Sequence, residues 1–326
     1  MRKWNVFLAL MLACGVSSMT GCGLWPKPKS TTDLYLEGQL EAERGNYDAA
    51  MASLSKAIEK NPQMSLAYEA RGSLYKEKGD YAKAASDYKQ AAKLEPFNFN
   101  AHYELGLMYQ YLQRFAEAVI AYQKAVEIRP LDPEANMNLA MTYTEMGEPL
   151  RGLPYAQRAV QGSEQTPSAA TSYANLGILY AQLGKNEAAI DALKHSIELN
   201  SRQPEVYLNL GQEYIKAEKY EQAKNVLETA RDLAPSAAIS ERLGLAYYKL
   251  RNLPKSHEAF DDSIHQNPQY YPALNGLGVV AMTTSQMSAP PDLDSAREAL
   301  AYWDRSLKIN PQQPAIQMLV KKYTGK

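Results

Sequence analysis

The sequence predicts an all-α chain: a solenoid of about eight helical hairpins closed by a C-terminal capping helix. Three observations predict it. Prolines close helix-like runs at Lys60-Asn61-Pro62, Leu94-Glu95-Pro96, Ile128-Arg129-Pro130, Leu233-Ala234-Pro235, Gln266-Asn267-Pro268 and Ile309-Asn310-Pro311, 33 or 34 residues apart where repeats adjoin directly. Glycines keep step at Gly38, Gly72, Gly106, Gly177, Gly211, Gly244 and Gly278, with Ala140 in the same slot of the fourth repeat. Twelve residues after most of these slots stands a second small residue: Ala50, Ala84, Ala118, Gly152, Ala189, Ala223 or Ser256.

The N-terminal segment differs from everything that follows. Met1-Arg2-Lys3 is a short cationic start, and residues 4–19 are uncharged and rich in apolar side chains. That run is short for a membrane span of about 20 residues but fits the core of a signal peptide over residues 1–21. It ends in Met19-Thr20-Gly21-Cys22, which resembles the bacterial lipobox, although Met stands where Leu is more usual; Cys14 is the alternative, behind a much shorter apolar core. The resemblance implies cleavage before Cys22, a diacylglycerol on its sulfur and acylation, for example by palmitate, of the new amino terminus. An uncleaved anchor and an ordinary cleaved signal are the other readings. The only two cysteines of the chain lie in this segment, so no disulfide or cysteine metal site is expected in the body. Residues 22–30 form a lipidated tether, stiffened by Pro26 and Pro28. The residue after Cys22 is not Asp, which by resemblance to enteric lipoproteins points to the outer membrane.

The array follows, over residues 31–313, in repeats placed at 31–64, 65–98, 99–132, 133–166, 170–203, 204–236, 237–270 and 271–313. A glycine inside a helix costs roughly 0.5–1 kcal/mol against alanine. A chain that repeats the cost gains something there, and the gain is close approach of two helices, answered by the small residue on the second. Tyr75, Tyr109, Tyr143, Tyr180, Tyr214 and Tyr247 stand three residues after the glycine slot, and Tyr88, Tyr122, Leu193, Leu227, Phe260 and Trp303 fill the second helices. Proline stops each second helix because it cannot donate and clashes with the preceding turn. The fourth repeat is eroded, with Pro149 and Gly152 in its second half. The eighth carries an insertion near residues 283–292, with Pro290-Pro291, expected as a loop. Glu37 and Arg71 take equivalent slots of adjacent repeats, which makes them a candidate ion pair. Residues 314–326 read as the capping helix: Pro314 opens it, Ile316, Leu319, Val320 and Tyr323 share a face, and Lys321, Lys322 and Lys326 suit its C-terminal end.

This pattern resembles the tetratricopeptide repeat (TPR) family over nearly all of the chain beyond the tether. The resemblance implies a right-handed superhelix whose first helices line a concave groove. By family geometry the groove slots include Tyr103, Leu107, Met137, Met141, Ile178, Leu208, Gln212, Ile215, Leu245 and Tyr248, apolar through the middle repeats. Exposed apolar surface marks binding, and methionine adapts to varied partners. The expectation is a groove that takes a peptide or an amphipathic helix; the alternative is closure of the superhelix on itself. Asn138, Asn175 and Asn209 recur two residues before the slot in three successive repeats. An amide row can pair with a guest backbone, as in the asparagine ladders of superhelical family members, though asparagine also occurs there without that role. The clamp by which chaperone-binding members hold an acidic C-terminus is not matched, because its slots hold Tyr35, Glu69 and Tyr103.

Other chemistries find little footing. Net charge is −1 with no long basic run, against a nucleic-acid surface. The four histidines, His102, His195, His257 and His265, are dispersed, and none stands at metal or triad spacing from a partner. No catalytic residue, metal or cofactor is expected, and no small-molecule substrate. The expected function is a lipid-anchored scaffold of the bacterial cell envelope. It would face the periplasm from the outer membrane, bind a protein partner and help to assemble or localise a pilus or secretion machine, like pilotin lipoproteins. The alternative is an accessory regulator that recruits or modulates a cell-wall or exopolysaccharide enzyme or a protease.

Overall fold

The computed structural model describes residues 28–324. The signal-peptide segment, Cys22 and the tether up to position 27 lie outside the described residues. Among the described residues there are 17 helices and no strand. They run as α1 Thr31–Glu43, α2 Tyr47–Lys60, α3 Ser65–Glu77, α4 Tyr81–Leu94, α5 Phe99–Tyr111, α6 Phe115–Ile128, α7 Pro133–Glu145, α8 Pro149–Ser163 and α9 Ala169–Gln182. Then come α10 Asn186–Leu199, α11 Pro204–Lys216, α12 Tyr220–Leu233, α13 Ala237–Lys249, α14 Leu253–Gln266, α15 Tyr271–Met287, α16 Leu293–Ile309 and α17 Pro314–Thr324. The chain divides into two compact bodies, one ending at Met108 and one beginning at Tyr109.

Helix ends follow local chemistry. Ser30 and Asp33 form a reciprocal capping box at α1, and the carboxylates of Asp80, Asp132 and Asp292 accept backbone N–H groups at α4, α7 and α16. The first helix of a hairpin ends in a left-handed residue seven positions after the glycine slot: Gly45, Gly79, Gly147 and Gly184, with Gln113, Glu218 and Arg251 taking the same conformation. At α1 the Gly45 N–H bonds to Ala42 O and the Asn46 N–H to Glu41 O, a Schellman closure that satisfies the last carbonyls.

In the first body α1 packs on α2, α3 on α4, α2 on α3, and α1 on α3. Its core is built from Leu34, Ala50, Leu54, Ala57, Ile58, Ala67 and Leu74. The Glu37–Arg71 pair expected from the repeat register does not form. Arg71 instead makes a two-pronged bond to Asp87, Nε and Nη2 each 2.8 Å from a carboxylate oxygen, and Nη1 reaches Ser55 Oγ at 3.1 Å. Asp87 lies across the same hairpin on α4 and is buried, so it claims the guanidinium, while Glu37 pairs with Lys29.

In the second body α7 packs on α8, α9 on α10, α11 on α12, α13 on α14 and α15 on α16. The first helices also touch in sequence, α7 to α9, α9 to α11, α11 to α13 and α13 to α15, so they form one continuous layer. A Cβ at Gly177 or Gly211 would fall 2.7 and 2.5 Å from Cγ of Leu193 and Leu227, the direct view of helices in close approach. The fourth repeat is not eroded at this contact but exchanged. Ala140 occupies the first helix, and Gly152 on the second has room for no more than hydrogen, since a Cβ there would lie 2.6 Å from Ala140 O.

The first half of the insertion in the eighth repeat is helical and the second half is the expected loop. Ser285 stands where the other repeats turn left-handed, and α15 continues through it to Met287; the connection shrinks to Ser288–Asp292, pinned by the Ser285 hydroxyl donating to Asp292 O at 2.6 Å. The capping helix α17 closes the array: Ile316 is buried with Trp303 and Met282, and Tyr323 stacks on Trp303 at 6.1 Å.

Candidate functional site

The layer made by α7, α9 and α11 carries two adjoining cavities. The first, of about 200 Å³, is lined by Met137, Ala140, Met141, Thr144, Glu145, Asn175, Ile178, Leu179 and Gln182. The second, of about 180 Å³, is lined by Ile178, Ala181, Gln182, Leu193, Asn209, Gln212, Glu213 and Lys216. Ile178 and Gln182 belong to both, so the two form one trough across three first helices. Its position follows from helical periodicity: Met137 and Met141, like Ile178 and Gln182 or Asn209 and Gln212, are three or four residues apart and share a face.

Of the residues expected to bind a partner, this trough gathers Met137, Met141, Asn175, Ile178, Asn209 and Gln212. Met141 is 44% exposed, whereas Met137 is 8% exposed and largely taken into the core with Ala156 and Leu176. Leu208 and Ile215 are half-buried against the Leu227 and Leu243 cluster and do not line either cavity. Leu245 and Tyr248 pack on the Phe260 cluster. Tyr248 also donates to or accepts from Thr283 at 3.2 Å and borders a separate cavity of about 330 Å³ with Arg251 and Met287. Asn138 is half-buried and lies outside both cavities. Tyr103 and Leu107 belong to the first body, are half-buried, and Tyr103 stacks on Phe99 at 5.8 Å.

The trough also contains residues that the repeat slots do not single out. Glu213 is the most unusual. It is 2% exposed, its Oε1 accepts from Lys216 Nζ at 2.7 Å, and its Oε2 has no donor among the described residues. Lys216 projects partly into solvent. One signal for Glu213 was available in the sequence: its slot, two after the glycine, holds Leu74, Leu179 and Val280 in other repeats. Farther along the layer Glu241 is also buried, and burial raises its carboxyl above the usual range while Arg242, bonded at 2.6 Å, pulls it back in part. In the first body, burial raises Glu69, which accepts from Asn98 Nδ2 at 2.6 Å.

Among the described residues no three of His, Cys, Asp and Glu converge as a metal site, and no helix is long and apolar enough to cross a membrane. His195 leans on the Tyr173 ring and pairs with Glu198, and His102 bonds to the Pro96 carbonyl. The arrangement presents an apolar channel with amides and one buried carboxylate along its floor. That is chemistry for holding a chain.

Among solved structures the fold resembles Pseudomonas aeruginosa PilF, with 20% identity and a TM-score of 0.55 over 69% of this chain and 97% of the other. It also resembles PilW, a widely conserved type IV pilus biogenesis factor, with 21% identity and a TM-score of 0.54 over 64% and 95% of the two chains. YrrB, a TPR protein with an unusual peptide-binding site, aligns with 23% identity and a TM-score of 0.51 over 61% and 97%. No curated protein matches the sequence. Tetratricopeptide repeat profiles match residues 38–79, 69–133, 132–202, 208–271 and 241–314. With more than half of its length so matched and its hairpins stacked in that register, the chain belongs to the tetratricopeptide repeat family, whose members are generally scaffolds for protein–protein interaction rather than enzymes.

Proposed function

We propose that the chain is a lipid-anchored adaptor of the bacterial cell envelope that holds a peptide or helix of a partner protein in the trough over α7, α9 and α11. The observation that carries the reading is the pair of adjoining cavities, apolar along Met141, Ile178 and Leu179 and edged by Asn175, Asn209 and Gln212. A guest helix sets apolar side chains into such a channel, and an extended guest finds amide partners for its backbone. Methionine at the rim lets one surface fit several side-chain shapes.

The anchor rests on the cationic start, the uncharged run and Cys22. Burial of several acyl chains, at about 0.8 kcal/mol per methylene, would hold the body stably at a membrane. We place that membrane as the outer one, with the body in the periplasm. Help in assembling a pilus or secretion machine is the role we favour, and the fold shared with PilW is in keeping with it.

The test uses a photo-crosslinking amino acid at Ile178, with the exposed Lys194 as control, in the full chain expressed in its native cells. Position 178 is expected to give a protein adduct that Met141→Glu abolishes, and position 194 none. Equal adducts from both, or none from 178, would overturn the groove. Cys22→Ser is expected to remove palmitate label and to leave residues 1–21 attached; a variant that keeps the label refutes lipidation at Cys22.

A further inference from the structure

We infer that the cavity over Glu213 is a subsite for one cationic side chain, lysine or arginine, of the guest segment. The inference rests on the groove reading above and gives it a chemical specificity. A carboxylate only accepts hydrogen bonds, and a buried one is costly unless its oxygens are met by donors. Lys216, which also lines the cavity, donates to Oε1 at 2.7 Å; Oε2 is shielded from solvent, has no donor among the described residues, and belongs to a side chain that lines the cavity. Glu241 makes the contrast: it is buried on the same layer but bonded to Arg242 and borders neither cavity of the trough.

The rest of the cavity suits the same guest. Ile178, Ala181 and Leu193 supply apolar wall for the aliphatic stem of a long cationic side chain. The amides of Gln182, Asn209 and Gln212 supply carbonyl oxygens for the donors that Glu213 does not meet. Packing does not demand an acid at this slot, since leucine fills it in the second and fifth repeats, at Leu74 and Leu179.

The experiment selects random 12-residue peptides on the detergent-solubilised full chain. An enriched peptide, and the same peptide with its shared cationic residue changed to Met, are then titrated by fluorescence anisotropy. The enriched set is expected to share a Lys or Arg at one position. Changing that residue to Met weakens binding to the native chain about ten- to a hundredfold, the range of a charge-assisted hydrogen bond. Glu213→Leu weakens the unchanged peptide to the same degree, and the two changes together cost no more than either alone. A set without a cationic position, one with Asn, Gln or Ser there instead, or additive losses would overturn the inference. Peptides that depend on Met141 but ignore Glu213→Leu would sink this subsite and leave the groove standing. Peptides that ignore Met141→Glu, or no enrichment at all, would sink both.

Discussion

Gly162→Ala is the most direct probe of how the repeats are joined. Gly162 lies one residue before the end of α8, and a Cβ built on it falls 1.8 Å from the carbonyl oxygen of Leu131 and 2.9 Å from its carbon. A carbon and a carbonyl oxygen in contact rest about 3.3 Å apart or more, so the methyl demands a movement of roughly 1.5 Å. No side chain can supply it, because the obstacle is main chain. Leu131 sits in the turn in which the Asp132 N–H bonds to Arg129 O at 3.2 Å, and Asp132 in turn caps α7. Moving the carbonyl therefore disturbs the start of the next repeat. Overpacking costs about 1–3 kcal/mol where side chains can yield, and this site belongs at the upper end. Alanine recovers at most about 1 kcal/mol of helix propensity, less so close to a helix end. A net loss of about 2–3 kcal/mol is expected, read by urea unfolding followed by circular dichroism at several wavelengths. Gly211→Ala is the comparison, since the three atoms nearest its Cβ all belong to the side chain of Leu227, the first at 2.5 Å; it should lose less. A Gly162→Ala protein within about 0.5 kcal/mol of the parent, or one more stable than Gly211→Ala, would show that the turn at Leu131 yields freely and that the reasoning is wrong.

Three further outcomes are expected. Gln113→Gly, Glu218→Gly and Arg251→Gly each relieve a side chain held at a φ of 58°, 58° and 61°, and each should raise stability by up to about 1 kcal/mol in thermal melts; a loss in all three would contradict the assignment of these turns. Arg71→Met leaves Asp87 buried without its partner and should lose about 3 kcal/mol or more, and Arg71→Met with Asp87→Leu should recover most of it; chemical denaturation of the single and double variants decides. Glu241 keeps its proton to a higher pH in the folded chain than in the unfolded one, because burial outweighs Arg242. The folded state therefore binds more protons in that window, and the group's contribution falls as pH rises from the ordinary carboxylate pKa through the raised folded value. Glu241→Gln should melt higher than the parent at neutral pH and show no advantage below the ordinary carboxylate range. A constant difference across the titration would rule this out.

The hairpin architecture was legible because its signals are local and repeated. A glycine, a small residue and a proline at fixed spacing report the same close approach in repeat after repeat, and Trp303 against Ile316 follows from the need to cover the last hairpin. The exchange of Ala140 and Gly152 was not legible, since each residue read alone looks like a departure; only the pair shows that the contact is preserved. Arg71 misled for a related reason. Register places Glu37 in the neighbouring repeat, but Asp87 competes from within the hairpin, and the buried carboxylate has more need of a partner than the half-buried one. Of the groove slots, Met141, Ile178 and Gln212 depend mainly on helical face and were readable. Leu208, Ile215 and Leu245 depend on how far each next hairpin leans over its neighbour, which spacing does not encode. Glu213 was visible as the one acid in a column that is apolar apart from Thr142, yet the column itself is defined by packing rather than by the groove.

Helix α8 has a second consequence. Gly152 and Gly162 press it against main chain near both of its ends, and Pro154 deprives the Leu150 carbonyl of its usual helical donor. At the two corresponding places three other repeats carry Ala84 and Leu94, Ala189 and Leu199, or Ala223 and Leu233. Modules of this array are therefore not interchangeable bricks. The fourth is keyed to its neighbours, and a graft of any of those three second helices would arrive with side chains where the lock accepts hydrogen alone.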